Sequence, residues 1–345
     1  MSGNIKNNLA PLMKAVRLHQ FGGPEVLLYE DAPKPSMKAG EVLVKVIAVG
    51  INPPDWYLRE GMKMLPPEWR PEIPLPTIPG TDISGIIEAV ADDVKSFVVG
   101  DEVYGMIRFP SFGDSRAYAQ YVSAPVADLA LKPKETDHLH AAAAPMAALT
   151  AWQFLIERGH NEPNPLQPDL HVPVPLEGRK VLINGAAGGV GHYAVQLAKW
   201  KGAYVIAVAS GKHEEMLRGL GADEFIDYTQ TAPEDVISNL DLVLDTLGGP
   251  TTGRFLRTLK SGGALFPVFL GFSDHAEAAE RGVTVSNSQV RSNGKQLGEI
   301  AQLFDTGLLQ TVIDSVFPLE EASKAHERAS HGHIQGKIVL KVPQD

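Results

Sequence analysis

Short apolar, β-branched runs bounded by Gly, Pro or Asp fill the first part of the chain. Residues 13–19, 41–49, 83–90 and 101–106 each have the length and composition of a strand. Ala39-Gly40-Glu41 and Gly100-Asp101 begin turns between them. Residues 65–79 hold Pro66, Pro67, Pro71, Pro74, Pro76 and Pro79, too many for a helix or a central strand. Loops of that length often serve as lids or binding loops. Near Ala141 the pattern changes. Residues 141–159 read as a helix with Leu149, Trp152, Phe154, Leu155 and Ile156 on its apolar face. A Pro-, His- and Asn-rich loop follows over 159–178, where His160 and His171 are expected to be solvated.

Strand and helix patterns then alternate. Strands are expected at 180–183, 204–209, 225–226, 240–244, 264–269 and 283–290, with helices at 190–201, 213–220, 251–259 and 295–305. Continuously apolar strands between helices indicate a parallel sheet covered on both faces. The tail returns to strands at 312–317 and 337–342. The fold class is therefore α/β. A dinucleotide-type domain, 146–290, is inserted into a β-rich domain formed by 13–145 and 291–345, and residues 1–12 read as a flexible lead-in.

Composition narrows the chemistry. Lys plus Arg is 31 against 41 for Asp plus Glu, a net charge of −10. That balance argues against nucleic acid and anionic membrane surfaces as partners. No apolar run reaches the ~20 residues of a membrane span, and the first residues lack a signal-type apolar core. The expected location is cytoplasmic. The chain has no cysteine, which excludes disulfides, thiolate metal sites and a cysteine nucleophile.

The strongest local motif is Asn184-Gly-Ala-Ala-Gly-Gly-Val-Gly191, placed between an apolar strand and a helix. Ala186, Ala187, Gly188, Gly189, Val190 and Gly191 are its candidate cofactor residues. Gly188 lets backbone approach a pyrophosphate, and Gly191 lets helix pack on strand. The helix N-terminus supplies N–H groups and a positive dipole end. Ala186 stands where the strict fingerprint has its first glycine. An NAD site usually carries Asp or Glu at the end of the next strand. Here that strand ends in Ser210-Gly211-Lys212-His213, without a carboxylate. A hydroxyl and a cation suit a 2′-phosphate, so the cofactor is expected to be NADP(H).

In order and spacing, several stretches resemble the medium-chain dehydrogenase/reductase superfamily, and best its zinc-free quinone oxidoreductase, zeta-crystallin-like branch. They are Gly50-Ile-Asn-Pro-Pro-Asp-Trp-Tyr57, Pro79-Gly-Thr-Asp-Ile-Ser-Gly85, Gly100-Asp-Glu-Val-Tyr104, Leu149-Thr-Ala-Trp152 and the glycine turn. Further on come Leu220-Gly-Ala-Asp-Glu-Phe-Ile-Asp-Tyr228, Phe317-Pro-Leu-Glu-Glu-Ala-Ser-Lys-Ala-His326 and Gly336-Lys-Ile-Val-Leu340. The resemblance covers about residues 13–343. It implies a GroES-like β-barrel catalytic domain, a Rossmann doubly wound parallel-sheet domain and a cleft between them. It also implies that Thr150 lies near the cofactor and that Ser210, Lys212 and Tyr228 surround the 2′-phosphate. Asn52 and Tyr57 would face nicotinamide and substrate. The zinc enzymes of the superfamily carry Cys and His where this chain has Asn52 and Thr81-Asp82.

Without that metal pattern, the alkoxide formed in alcohol oxidation has no obvious stabiliser. Hydride addition to a quinone or an α,β-unsaturated carbonyl yields a far less basic phenolate or enolate. The expected activity is therefore NADPH-dependent reduction of such acceptors, with Tyr57 donating to the substrate oxygen and Asn52 orienting nicotinamide or substrate. The Tyr57 ring could instead act as a wall. Asp55 reads as a cap or ion-pair partner, and Asp82 as structural. The alternatives are an enoyl-thioester reductase and a non-catalytic NADPH-binding sensor or structural protein. His331 and His333 read as a solvated loop. A homodimer is expected, with 283–290 pairing across the axis.

Overall fold

The computed structural model describes residues 11–111, 113–162 and 170–344. Most of the expected lead-in and part of the 159–178 loop therefore lie outside the described residues. Strands β1 (Leu12–Arg17) and β2 (Leu28–Pro33) form an antiparallel ribbon. Next come β3 (Glu41–Gly50), helix α1 (Pro53–Arg59), β4 (Asp82–Val90), β5 (Glu102–Met106), β6 (Tyr121–Pro125) and β7 (Leu129–Leu131). Helices α2 (His138–Ala143) and α3 (Pro145–Leu155) lead out of this unit.

The alternating part follows as β8 (Lys180–Asn184), α4 (Gly189–Trp200), β9 (Tyr204–Ala209), α5 (Glu214–Gly219), β10 (Glu224–Asp227), α6 (Pro233–Val236) and β11 (Leu240–Asp245). It continues with β12 (Leu259–Pro267), α7 (His275–Glu280), β13 (Thr284–Val285) and α8 (Gly294–Asp305). The chain then returns to the first unit through β14 (Ile313–Pro318), α9 (Ala322–Ser330) and β15 (Lys337–Lys341).

Two large sheets result. One has the order β14-β15-β3-β4-β5-β7, with β6 also on β3, and is antiparallel except at β14–β15. Val42, Val44, Val46, Ile83, Ile87 and Leu340 fill its core. The other is wholly parallel, in the order β10-β9-β8-β11-β12-β13. Its first strand, β8, stands in the middle, and the chain winds outward on both sides. Ligand crevices in such sheets open at the carboxyl ends of the strands where the order reverses, here between β8 and β11. Apolar layers cover both faces, Val181, Ile183 and Val195 on one and Leu182, Ile206 and Phe255 on the other. Helix α8 lays Leu297, Ile300 and Phe304 into the first layer. Tyr104 of β5 reaches it, donating to Leu297 O at 2.7 Å.

Several local expectations need correction. The helix read over 141–159 is two helices, because Pro145 has no N–H to continue α2 but suits the first turn of α3. The strand read over 283–290 pairs only at Thr284–Val285. Beyond it Ser286 Oγ is 2.9 Å from His171 Nδ1, and the chain turns toward the cleft. The helix read over 251–259 is a short 3₁₀ segment, and Leu259 already belongs to β12. His171 is not solvated. It is buried, with Nε2 2.9 Å from Phe154 O and its ring against Phe154 and Phe266. His160 is half-buried, with Nε2 3.0 Å from Gln289 O.

Gly50 ends β3 where α2 crosses it. A Cβ there would sit 2.3 Å from Ala142 O, a backbone atom. Overpacking of this kind costs about 1–3 kcal/mol. Gly50→Ala should lower the unfolding free energy by about 2 kcal/mol in urea titration. An unchanged midpoint would show that α2 yields freely.

Candidate active site

Strand register gathers the polar groups of the cleft. Gly50 faces Asp82 on β4 and Val339 on β15. Asn52 lies two residues after Gly50, and Lys337 two before Val339, so Asn52, Asp82 and Lys337 meet at one end of the sheet. Lys337 Nζ donates to Ile51 O at 2.7 Å and to Asn52 Oδ1. The Asn52 amide donates to Asp82, whose carboxylate also accepts from Met146 N–H at 2.8 Å. Helix α1 starts here. Pro53 and Pro54 lack N–H groups that a first turn would leave unpaired, and Asp55 Oδ2 accepts from Asn52 N–H at 2.8 Å. Asp55 is thus the cap expected of it.

The polar chain continues inward. Tyr118 Oη donates to Asp55 Oδ2 at 3.2 Å and lies 3.0 Å from His326 Nε2. Arg59 donates to His326 Nδ1 at 3.0 Å, which leaves the ring proton on Nε2 facing Tyr118. Burial, and then the Arg59 charge, push His326 down to about 3. Burial raises Asp55 to about 7 and Asp82 to about 6, against the opposing pull of their hydrogen bonds and of Lys337. Lys337 is lowered by burial, while the two carboxylates pull it back up.

A cavity of about 810 Å³ opens between these groups and the parallel sheet. Asn52, Trp56 and Tyr57 line it from the α1 side, and Phe269, Leu270 and Asn287 from the other. The Tyr57 ring lies 6.0 Å from that of Phe269, and burial and then the Glu60 charge weaken its acidity. Trp69, from the proline-rich loop, stands half-exposed at the rim.

The glycine turn forms the cavity's other wall. Gly185, Gly188, Gly189 and Val190 line it, and no side chain caps the start of α4. Gly191 meets the turn after β8 so closely that a Cβ would sit 2.2 Å from Gly185 O. Ala186 and Ala187 are buried, and Ala187 O accepts from Gly336 N–H at 2.8 Å across the cleft. Thr150 lines the cavity, its hydroxyl donating to Met146 O at 2.7 Å. An uncapped helix start opening into a glycine-lined cradle, with the Lys337 stem at its side, fits a dinucleotide pyrophosphate. Ser210 and Lys212 follow β9, and Tyr228 follows β10, all at the rim of the same sheet end. Asp227, which the motif reading overlooked, accepts hydrogen bonds from Gly211 N–H and from Thr229.

Two regions match family models, the alcohol dehydrogenase GroES-like domain over residues 38–134 and the zinc-binding dehydrogenase over 220–340. The mouse mitochondrial NAD(P)H oxidoreductase RTN4IP1 is 33% identical, over 96% of this chain and 89% of its own. An Arabidopsis thaliana chloroplastic NADPH-dependent alkenal/one oxidoreductase is 31% identical, over 95% and 79%. The structure of the quinone oxidoreductase from Coxiella burnetii superposes with a TM-score of 0.82 at 31% identity, covering 96% of this chain and all of that one. The chain belongs to the medium-chain dehydrogenase/reductase superfamily, in its quinone oxidoreductase branch. It is an oxidoreductase that uses a nicotinamide cofactor.

One superfamily model is named for zinc, and the cleft does not fit that ion. Asn52 and Asp82 stand there, and both are committed: Asn52 Oδ1 accepts from Lys337 Nζ, and Asp82 accepts from the Asn52 amide and from Met146 N–H, which leaves no set of metal ligands. Among the described residues no three of His, Cys, Asp and Glu gather as metal ligands, His331 and His333 included. No described helix is long and apolar enough to cross a membrane. Lys337 itself was not singled out in the sequence, although Gly336-Lys-Ile-Val-Leu340 carried part of the resemblance to this superfamily.

The Asp55 shift has a measurable sign. Its unfolded carboxyl titrates near ~4, so between about pH 4 and 7 the folded protein retains a proton that the unfolded chain has lost. Its contribution to stability therefore falls as pH rises through that window. In urea titrations, the wild type should lose on the order of 2 kcal/mol relative to Asp55→Asn between pH 4 and 7. Parallel curves for the two proteins would contradict the shift.

Proposed function

We propose that the protein is a zinc-independent, NADPH-dependent reductase of quinones or α,β-unsaturated carbonyls. The observation that carries this reading is the shared cavity. The uncapped start of α4 and the largely apolar wall around Asn52 and Tyr57 enclose one space of about 810 Å³. When bound, the cofactor supplies a hydride from its dihydronicotinamide. The protein's part is to hold the acceptor in line, exclude water and meet the charge that develops on its oxygen.

The glycine turn 186–191 would hold the pyrophosphate, with Thr150 beside the nicotinamide half. Lys212, exposed and without an acidic partner among the ion pairs of the described residues, would take the 2′-phosphate with Ser210 and Tyr228. Asn52 would orient the nicotinamide or acceptor oxygen. Tyr57, with Trp56, Trp69 and Phe269, would form the aromatic wall against which a flat acceptor lies. We further propose that two copies pair along the edge at β13, and that the protein works in the cytoplasm.

A panel of quinones, enones and enoyl thioesters, followed through cofactor absorbance at 340 nm, tests the activity. Turnover with quinones or enones is expected. Turnover confined to enoyl thioesters would support the carrier-linked alternative, and none at all a binding protein. Lys212→Ala should raise the KM for NADPH at least tenfold and leave that for NADH within twofold. Equal changes for both cofactors would remove Lys212 from the 2′-phosphate site.

A further inference from the structure

We propose that Lys337 is a catalytic residue whose side-chain Nζ meets the acceptor oxygen as it becomes anionic and gives it a proton. The proposal rests on the reductase reading above. Hydride addition to a quinone or enone leaves a negative oxygen inside an apolar cavity. An anion there needs a charged or strongly donating partner. Among the described residues that line the cavity, Lys337 is the one with a charged side chain.

Among the described residues, its hydrogen bonds leave one donor position of Nζ without a protein acceptor. Nζ has three donor positions. Two go to neutral oxygens, Ile51 O and Asn52 Oδ1. Asp82 lies behind Asn52, and Asp55 caps the start of α1 beside it. Both act on Lys337 through their charge without an ion-pair contact. They hold a proton in this corner of the cleft without quenching the ammonium. Lys337 also spans the two walls of the cavity. A Cβ built on Gly189, at the start of α4, would lie 3.1 Å from Lys337 Cδ, while Nζ reaches the start of α1.

The competing donors are less suited. The Thr150 hydroxyl is given to Met146 O, and Asn52 has no proton to lose. Burial and the Glu60 charge make Tyr57 a weaker acid than free tyrosine. Burial acts oppositely on Lys337, making its ammonium readier to release a proton.

The step balances. Two electrons and one hydrogen reach the acceptor as hydride from a dihydronicotinamide. One N–H bond of Lys337 breaks, its electron pair stays on nitrogen, and a new O–H bond forms on the acceptor. The neutral amine regains a proton from water once the product leaves.

Two readouts test this, one of them independent of turnover. 4-Nitrophenol, whose anion is coloured, stands in for the reduced acceptor. Bound to the wild type, it should ionise at least one pH unit lower than when bound to Lys337→Met, a tenfold change in its ionisation constant. With menadione, Lys337→Met should lose at least 100-fold in kcat while its affinity for NADPH, read by fluorescence titration, stays within threefold. Identical ionisation of the phenol in both proteins, or no phenol binding to the wild type, would overturn the proposal. So would a loss confined to NADPH affinity, which would make Lys337 a phosphate ligand. If Lys337→Met lacks a cooperative unfolding transition, Lys337→Gln, which keeps a donor without the charge, is compared instead. A wild type that reduces neither quinone nor enone defeats the reductase reading, while the phenol measurement still judges the lysine.

Discussion

A lysine side chain buried between two sheets is the constraint around which the cleft is built. Taking a lysine out of water is costly unless its donors are satisfied and opposite charge stands nearby. Here the donors reach Ile51 O and Asn52 Oδ1, and Asp82, titrating at about 6, and Asp55, at about 7, lend negative charge as they ionise. Those requirements specify much of one end of the antiparallel sheet. The pairing of β3 with β4 and β15 must be in register, α1 must start at Asn52, and Asp82 must hold both the Asn52 amide and Met146 N–H. The same lysine lays its stem on the first turn of α4. One side chain thereby links the geometry of the α1 wall of the cavity to that of the α4 wall.

Backbone geometry makes the matching demand on the parallel sheet. The order of its strands reverses beside β8, and the turn after that strand must bring α4 onto the sheet without side chains in the way. Gly191 meets that demand through its contact with Gly185 O. The result is a helix start with no side-chain cap, facing a cavity whose far wall is aromatic and apolar. A dinucleotide at one end and a flat, electron-poor acceptor at the other would share that space.

The elements that carry local signals were legible in the sequence. The alternation after residue 180 marks the doubly wound sheet, and the glycine turn declares itself between an apolar strand and a helix. Asn52 and Tyr57, singled out by the run that contains them, do line the cavity. What escaped was set by distant register or by side-chain packing. Lys337 lies 285 positions from Asn52 and reads locally as one more residue of a strand. His171 sits in a polar, proline-rich loop that looks solvated, yet Phe154 and Phe266 enclose its ring. The 283–290 run has strand composition at both ends, but Ser286 is drawn to His171, and the residues after it turn to the cavity. Asp227 hides because it stands on the strand beyond the one where a ribose-binding acid is sought.

The protonation state of Lys337 tests this account most directly. Nitrogen-15 NMR of the lysine side chains, with the Lys337→Met spectrum identifying the resonance, reads it without substrate or cofactor. At neutral pH and low temperature the account predicts an ammonium nitrogen whose protons exchange far more slowly than those of surface lysines, because two are hydrogen-bonded in a buried site. A neutral amine shift at neutral pH, or an exchange rate equal to that of exposed lysines, would contradict it.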